Sequence, residues 1–189
     1  IFVDKPITPF SGSWSQNCCL PTFSFKNVLP LSQDIDTFNE TLQSLRISSN
    51  IDTKEGTMDA IYQVAACEQQ IGWRLPEQSR RAILIVTDGK MKMAGDGRIA
   101  GIFRPHDGKC HLNMENYYEK DLYFDYISLA VVRKILMKNR ITVLFAATKS
   151  LNEEFTKITQ LWNGVNSAVS ILSEDSSNIV NLVENMSQV

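Results

Sequence analysis

At 189 residues the chain is about one domain long, and its 43% apolar and 21% charged residues give a globular balance that argues against disorder. A formal net charge of −2 removes the electrostatic case for a nucleic-acid binder or a basic membrane-surface patch. The longest apolar runs, Ala82–Val86 and Val143–Ala147, are strand-sized, so no membrane span is expected within the chain.

The chain opens on Ile1–Val3 without an initiator Met or a signal-peptide core, and it closes in a helix-like pattern without a Gly or Pro stop. Both ends read as cuts through structure, and the sequence is therefore read as a fragment. Residues Pro6–Pro21, with Pro6, Pro9, Gly12 and Pro21 among serines, read as a loop. Phe23–Leu31 reads as a strand. Asp34–Leu45 places Ile35, Phe38, Leu42 and Leu45 at helical spacing with Asp34 as cap. The polar run Ser48–Lys54 leads into a second helix with Met58, Ile61 and Ala65 on one face.

From Arg81 strands and helices alternate. Ala82–Thr87 is apolar enough for a strand covered on both faces. Asp125–Lys138 reads as a helix capped by Asp125, and Ile141–Ala147 as another buried strand. Leu151, Phe155, Ile158 and Trp162 mark a helix, Ala168–Leu172 a strand, and Ser176 onward a last helix with Ile179, Val183 and Met186 inward. This alternation predicts an α/β, Rossmann-like fold, a mostly parallel sheet with helices on both faces. Ligands in such folds sit at the carboxyl ends of the strands, which puts Thr87-Asp88-Gly89 at the binding rim.

Few constellations carry chemistry. Asp88 is either half of a turn-forming Asp-Gly pair or a rim carboxylate open to a hard cation. Asn50-x-Asp52-x-x-Glu55 is the densest oxygen-donor cluster. It reads either as a capping box, with Asp52 opening the next helix, or as part of a calcium or magnesium site completed by a second segment. Gly95-x-Gly97-x-x-x-Gly101 misses the dinucleotide spacing, and Asp96-Gly97 reads as a hairpin turn instead. His106 and His111 lack zinc-site spacing and no nucleophile elbow occurs, so an enzyme is not expected. Cys67 and Cys110 could close a loop or remain free thiols. Cys18 and Cys19 are adjacent, with Cα atoms about 3.8 Å apart, below the ~4.4–6.8 Å of an ordinary disulfide. Asn39-Glu40-Thr41 and Asn185-Met186-Ser187 are N-glycosylation sequons.

Six stretches, taken together, resemble the I-like (von Willebrand A type) domain of an integrin beta subunit. They are Phe2-Val3-Asp4-Lys5-Pro6, Arg46-Ile47-Ser48 through Glu55-Gly56, Ile71-Gly72-Trp73-Arg74, Ala94 through Ile102, Asp107 through Leu112, and Leu172-Ser173 through Asn178. The resemblance implies one partial domain over residues 1–189, a von Willebrand A type three-layer sandwich that is N-terminally truncated. It implies an adhesion receptor at the cell surface, the extracellular part of a single-pass glycoprotein. Such a receptor pairs with an integrin alpha subunit and captures an acidic residue of a matrix or cell-surface protein through Mg²⁺ (or Mn²⁺), with Ca²⁺ at neighbouring sites.

By that resemblance Glu55 is shared by the central Mg²⁺ site and the adjacent Ca²⁺ site, and Asp4, Asn50 and Asp52 supply the other side-chain ligands of the latter, in preference to a capping box. Lys54 stands where a proline commonly offers a carbonyl. Asp88 lies between the central and adjacent sites, Glu174 falls at a backbone-carbonyl ligand, Arg98 matches the basic finger that enters the alpha subunit, and Cys67 and Cys110 match a disulfide. The family's first metal-bearing strand would precede Ile1. Its loss would leave the central site with Glu55 and Asp88, and the fragment alone poorly folded and unable to bind ligand. The loop Pro6–Pro21 is shorter than the family's specificity loop, with Cys18-Cys19 in place of its small disulfide ring. A mainly structural, heterodimerising role is the alternative reading.

Overall fold

The computed structural model describes residues 1–7, 20–46, 48, 50 and 53–186. The expectations for Pro6–Pro21, Cys18 and Cys19, and for the position of Asp52, fall wholly or mostly outside them. The chain divides into two units, Ile1–Trp73 with Met91–Val132 and Arg74–Lys90 with Arg133–Val189.

The first unit contains helices Ile35–Ser44 (α1), Thr57–Ala66 (α2) and Glu68–Ile71 (α3), and the two-residue strand Lys54–Glu55 (β1). Asp34 caps α1 as expected, its carboxylate accepting from Thr37 N–H at 3.0 Å. The apolar stripe of α1 does not enter a core, however: Ile35 is 72% and Phe38 51% exposed. Helix α2 is the reverse. Met58, Ile61 and Ala65 are buried, and so are Asp59, Tyr62 and Gln63 around the rest of the cylinder. Gly56 rather than Asp52 stands at its N-cap, and Glu55 lies in β1, so no capping box forms there.

Phe23–Leu31 is not a strand. It is held by single antiparallel bridges, Phe2 to Phe25 and Lys26 to Tyr117, whose partners lie far away in sequence. Phe25, Ala60, Cys67, Ile71 and Tyr118 form one cluster of the core, with Phe2, Val64, Trp73 and Leu112 packed against it. Cys67 and Cys110 form the disulfide implied by the resemblance, closing a separation of 43 residues. No hairpin forms at Asp96-Gly97; Asp96–Ala100 is a 3₁₀ turn between two left-handed glycines, Gly95 (φ 104°) and Gly101 (φ 75°).

In the second unit the parallel sheet appears as predicted. Strands Arg81–Thr87 (β2), Ile141–Ala147 (β4) and Ser167–Ile171 (β5) pair in the order β2-β4-β5, in register from Arg81 with Ile141 and from Val143 with Ser167. The short strand Lys90–Met91 (β3) follows β2. Six of the seven β4 residues are buried, as a central strand requires. Helix Asn152–Leu161 (α5) covers one face, with Phe155 at 4.7 Å and Trp162 at 6.0 Å from the Phe145 ring. The last helix, Ile179–Met186 (α6), adjoins the other face, where Val183 lines the same groove as Leu84 and Leu144.

Two expectations change here. Strand β2 alternates, with Ile83 and Ile85 buried but Leu84 and Val86 38% and 46% exposed, so its second face is only partly covered, and Val183, turned to that face, stays 39% exposed. The helix expected from Asp125 begins at Leu129 (α4, Leu129–Lys138), because the Asp125 carboxylate is already taken by N–H groups elsewhere.

Candidate metal centre

The chain brings Asp4 to Glu55 through backbone pairing. Val3 N–H donates to Ser24 O at 3.1 Å, and Gly56 N–H donates to Val3 O at 2.6 Å. Asp4 therefore lies beside β1 although some fifty residues separate them in the chain.

Around the Asp4 carboxylate, Oδ1 accepts from Lys5 N–H at 2.8 Å and from the Tyr126 hydroxyl. Its other oxygen, Oδ2, faces the Asn50 side-chain amide at 3.5 Å, and the same amide lies 3.5 Å from the Lys54 carbonyl oxygen. An Asn amide turned about its own axis exchanges nitrogen for oxygen in place. Three hard oxygen donors, from Asp4, Asn50 and the Lys54 backbone, then face one another, the donor chemistry that Ca²⁺ selects. Glu55 follows immediately, with Oε2 shielded from solvent and its carbonyl accepting from Lys92 N–H at 2.8 Å. The donor set fits a hard cation. Among the described residues no three His, Cys, Asp or Glu side chains gather in a metal-holding group, and Asp52, which would add a carboxylate, is not among those residues.

Three lysines of this unit each direct the ammonium to a different carboxylate. The ammonium of Lys54 faces Asp96 at 3.4 Å. Lys5 is fully buried, as is its partner Asp59 at 2.9 Å; its Nζ also donates to Asp121 O at 2.7 Å and stands 4.7 Å from the Tyr126 ring centroid. Lys92 places Nζ 3.4 Å from Asp4 Oδ2. Lys5, Asp59, Lys92 and Tyr126 were not singled out in the sequence. One signal was available: Asp59 sits among buried positions all round α2, and a carboxylate there needs a cationic partner.

The remaining expected residues lie elsewhere. Arg98 is exposed on the 3₁₀ turn, next to Ile99, which is 79% exposed. That turn hangs on Asp125, which accepts from Gly95 N–H at 2.7 Å, Gly97 N–H at 2.9 Å and Tyr126 N–H at 2.8 Å. A Cβ on Gly97 would fall 2.5 Å from Asp125 Oδ1, so only glycine fits. In the second unit, Asp88 follows β2 and is exposed, and Gly89 N–H donates back to Thr87 Oγ1 at 3.1 Å. Glu174 is exposed in a turn organised by Asp175, which accepts from Ser177 N–H at 3.1 Å and from Ser177 Oγ and Ser173 Oγ at 2.8 Å each; these bonds hold its carboxyl down at about 2. Asn39 is exposed on α1, and Asn185 lies in α6.

A family model for the integrin beta chain VWA domain matches residues 1–188. Integrin beta-5 of Papio cynocephalus is 38% identical over 196 residues, covering 97% of this chain and 29% of that protein. Integrin beta pat-3 of Caenorhabditis elegans is 36% identical over 190 residues, covering 97% and 23%, and human integrin beta-6 is 35% identical over 192 residues, covering 96% and 24%. The chain thus spans about a quarter of the length of the curated relatives it matches.

Proposed function

The chain belongs to the integrin beta chain VWA-domain family, and from that premise we propose that it is the ligand-capturing, alpha-pairing domain of a cell-adhesion receptor subunit. It works as a binding module at the cell surface, not as an enzyme. The observation that carries the reading is the meeting of Asp4 Oδ2, the Asn50 amide and the Lys54 carbonyl beside Glu55.

Asp4, Asn50, Lys54 through its carbonyl, and Asp52 hold Ca²⁺ in this reading, with Glu55 serving the neighbouring Mg²⁺ or Mn²⁺ site; Asp88 and the Glu174 backbone are cation-ligand positions by the family resemblance. A bound divalent cation supplies the positive charge that an acidic residue of a protein ligand needs in order to bind. The chain's own part is to keep these oxygens in place. Backbone pairing through Val3 and Gly56 fixes Asp4 against β1, and Tyr126 and the Lys5 N–H orient its carboxylate so that Oδ2 is left toward the donors. Arg98, exposed on a turn braced by Asp125, is the contact offered to an integrin alpha subunit.

In the full-length heterodimer, adhesion is expected to need Mg²⁺ or Mn²⁺ and to be lost in EDTA. Glu55→Ala is expected to abolish adhesion while the heterodimer still reaches the surface. Full adhesion in EDTA, or by the Glu55 variant, would refute the reading. A second reading retains alpha pairing with little ligand capture, and the ammonium of Lys92 beside Asp4 favours it. Immunoprecipitation with an alpha subunit beside an adhesion assay separates the two.

A further inference from the structure

We propose that Lys92 is a built-in competitor of the cation at Asp4: its ammonium stands against the carboxylate oxygen that the ion would take, so the ion enters only as Lys92 withdraws. The inference rests on the reading of Asp4, Asn50 and Lys54 as cation donors and adds to it a determinant of affinity.

The two oxygens of Asp4 are used differently. Oδ1 is occupied by the Lys5 N–H and the Tyr126 hydroxyl, both fixed parts of the interior. Oδ2 is approached by Asn50 at 3.5 Å and by Lys92 Nζ at 3.4 Å. An ammonium closed onto a carboxylate comes to about 2.7–2.9 Å, so Lys92 guards this oxygen without sealing it. Lys5 and Lys54 direct their ammonium groups to Asp59 and Asp96, whereas Lys92 points its own at the donor set.

Lys92 is held in this post by its backbone. Its N–H donates to the Glu55 carbonyl at 2.8 Å, which anchors its Cα beside β1, and its side chain is 11% exposed, with Nζ 5.8 Å from the Tyr126 ring centroid. A Ca²⁺ ion lies about 2.3–2.6 Å from each oxygen it binds. An ion on Oδ2 would therefore press against an ammonium 3.4 Å from that oxygen, and like charges at such distances in a shielded site repel strongly. The flexible four-carbon stem of lysine allows withdrawal without moving the strand. Competition of this kind sets the cation concentration at which the site fills, and hence the threshold at which Glu55 is steadied.

Terbium(III), a luminescent stand-in for Ca²⁺ excited through nearby aromatic rings, tests this in the full-length chain purified with its partner subunit. Wild type, Lys92→Met and Lys92→Arg are titrated, Asp4→Asn defines the part of the signal owed to this site, and Ca²⁺ is used to displace the terbium. Removing the charge is expected to tighten the Asp4-dependent binding by about tenfold or more, with Lys92→Arg close to wild type. Equal affinity in wild type and Lys92→Met, or the same tightening in Lys92→Arg, overturns the competition and leaves the donor set standing. Absence of any Asp4-dependent signal in every variant overturns both. If Lys92→Met does not fold, Lys92→Gln carries the same comparison with a neutral side chain.

Discussion

Around Phe145 the second unit packs ring against ring beneath a regular parallel sheet, whereas around Lys5 the first unit buries an ammonium, a carboxylate and a phenol between irregular segments. The sheet unit satisfies its backbone through a ladder and fills its interior with apolar side chains, so its order is set by general burial. The irregular unit has single bridges, a disulfide and specific polar contacts in place of a ladder. Such an interior tolerates substitution poorly, because each buried polar group depends on specific partners. The same unit carries the proposed donor set, and its polar interior, costly to build, is what orients the Asp4 carboxylate.

The largest expected effect tests that dependence. Asp59→Leu leaves the Lys5 ammonium buried without its carboxylate and removes the acceptor of the Ile127 N–H; it should cost about 3–5 kcal/mol in urea unfolding. The double variant Lys5→Met with Asp59→Leu should recover the part owed to the unpaired ammonium, since an apolar pair replaces the ion pair, while the Ile127 N–H stays without its acceptor. If both variants lose the same stability, charge pairing is not what makes this interior sensitive. Next, replacing Cys67 and Cys110 together by Ala frees a loop of 43 residues and should cost roughly 2–4 kcal/mol, read in the same unfolding experiment. By contrast Ile158→Val, in the apolar core of the sheet unit, should cost only about 0.5–1.5 kcal/mol. A larger loss there would erase the contrast.

Legibility in the sequence follows the same divide. Ile141–Ala147, the helix carrying Phe155 and Ile158, and the strand near Ala168 were readable because their partners follow local periodicity. What periodicity cannot say is what stands opposite a face: the run Ala82–Thr87 suited burial on both sides, yet Leu84 and Val86 are partly exposed. In the first unit, Phe25 and Lys26 pair with Phe2 and Tyr117, contacts no local pattern encodes. Asp125 looked like a helix cap because Asp before an apolar periodic run usually is one, but the glycine turn at 95–97 claims its oxygens first. Of the donor set, Asn50 and Glu55 stood out by spacing and Asp4 entered through resemblance alone. Lys92 was invisible, since a lysine between two methionines reads as an ordinary surface charge.

The smallest effect near neutral pH belongs to His106. Its ring is enclosed by Tyr62 at 4.8 Å, Phe124 at 5.2 Å and Tyr118 at 6.1 Å, and its Nδ1 accepts from Gly108 N–H at 3.0 Å. Burial lowers its pKa from 6.5 to about 4, outweighing the pull of Asp59 and Asp107 toward the charged form. The unfolded chain therefore binds the extra proton first as the solution is acidified. The contribution of neutral His106 is complete above about 6.5 and is lost progressively as pH falls toward about 4. His106→Phe keeps a ring among the same aromatic neighbours and removes the titration. The melting temperature of wild type, followed from neutral pH downward, should fall relative to that of His106→Phe across that window, because carboxylates common to both cancel in the difference. Parallel curves would mean that the aromatic enclosure holds a charged imidazole as readily as a neutral one, and the irregular unit would then be less dependent on individual protonation states than its buried pairs imply.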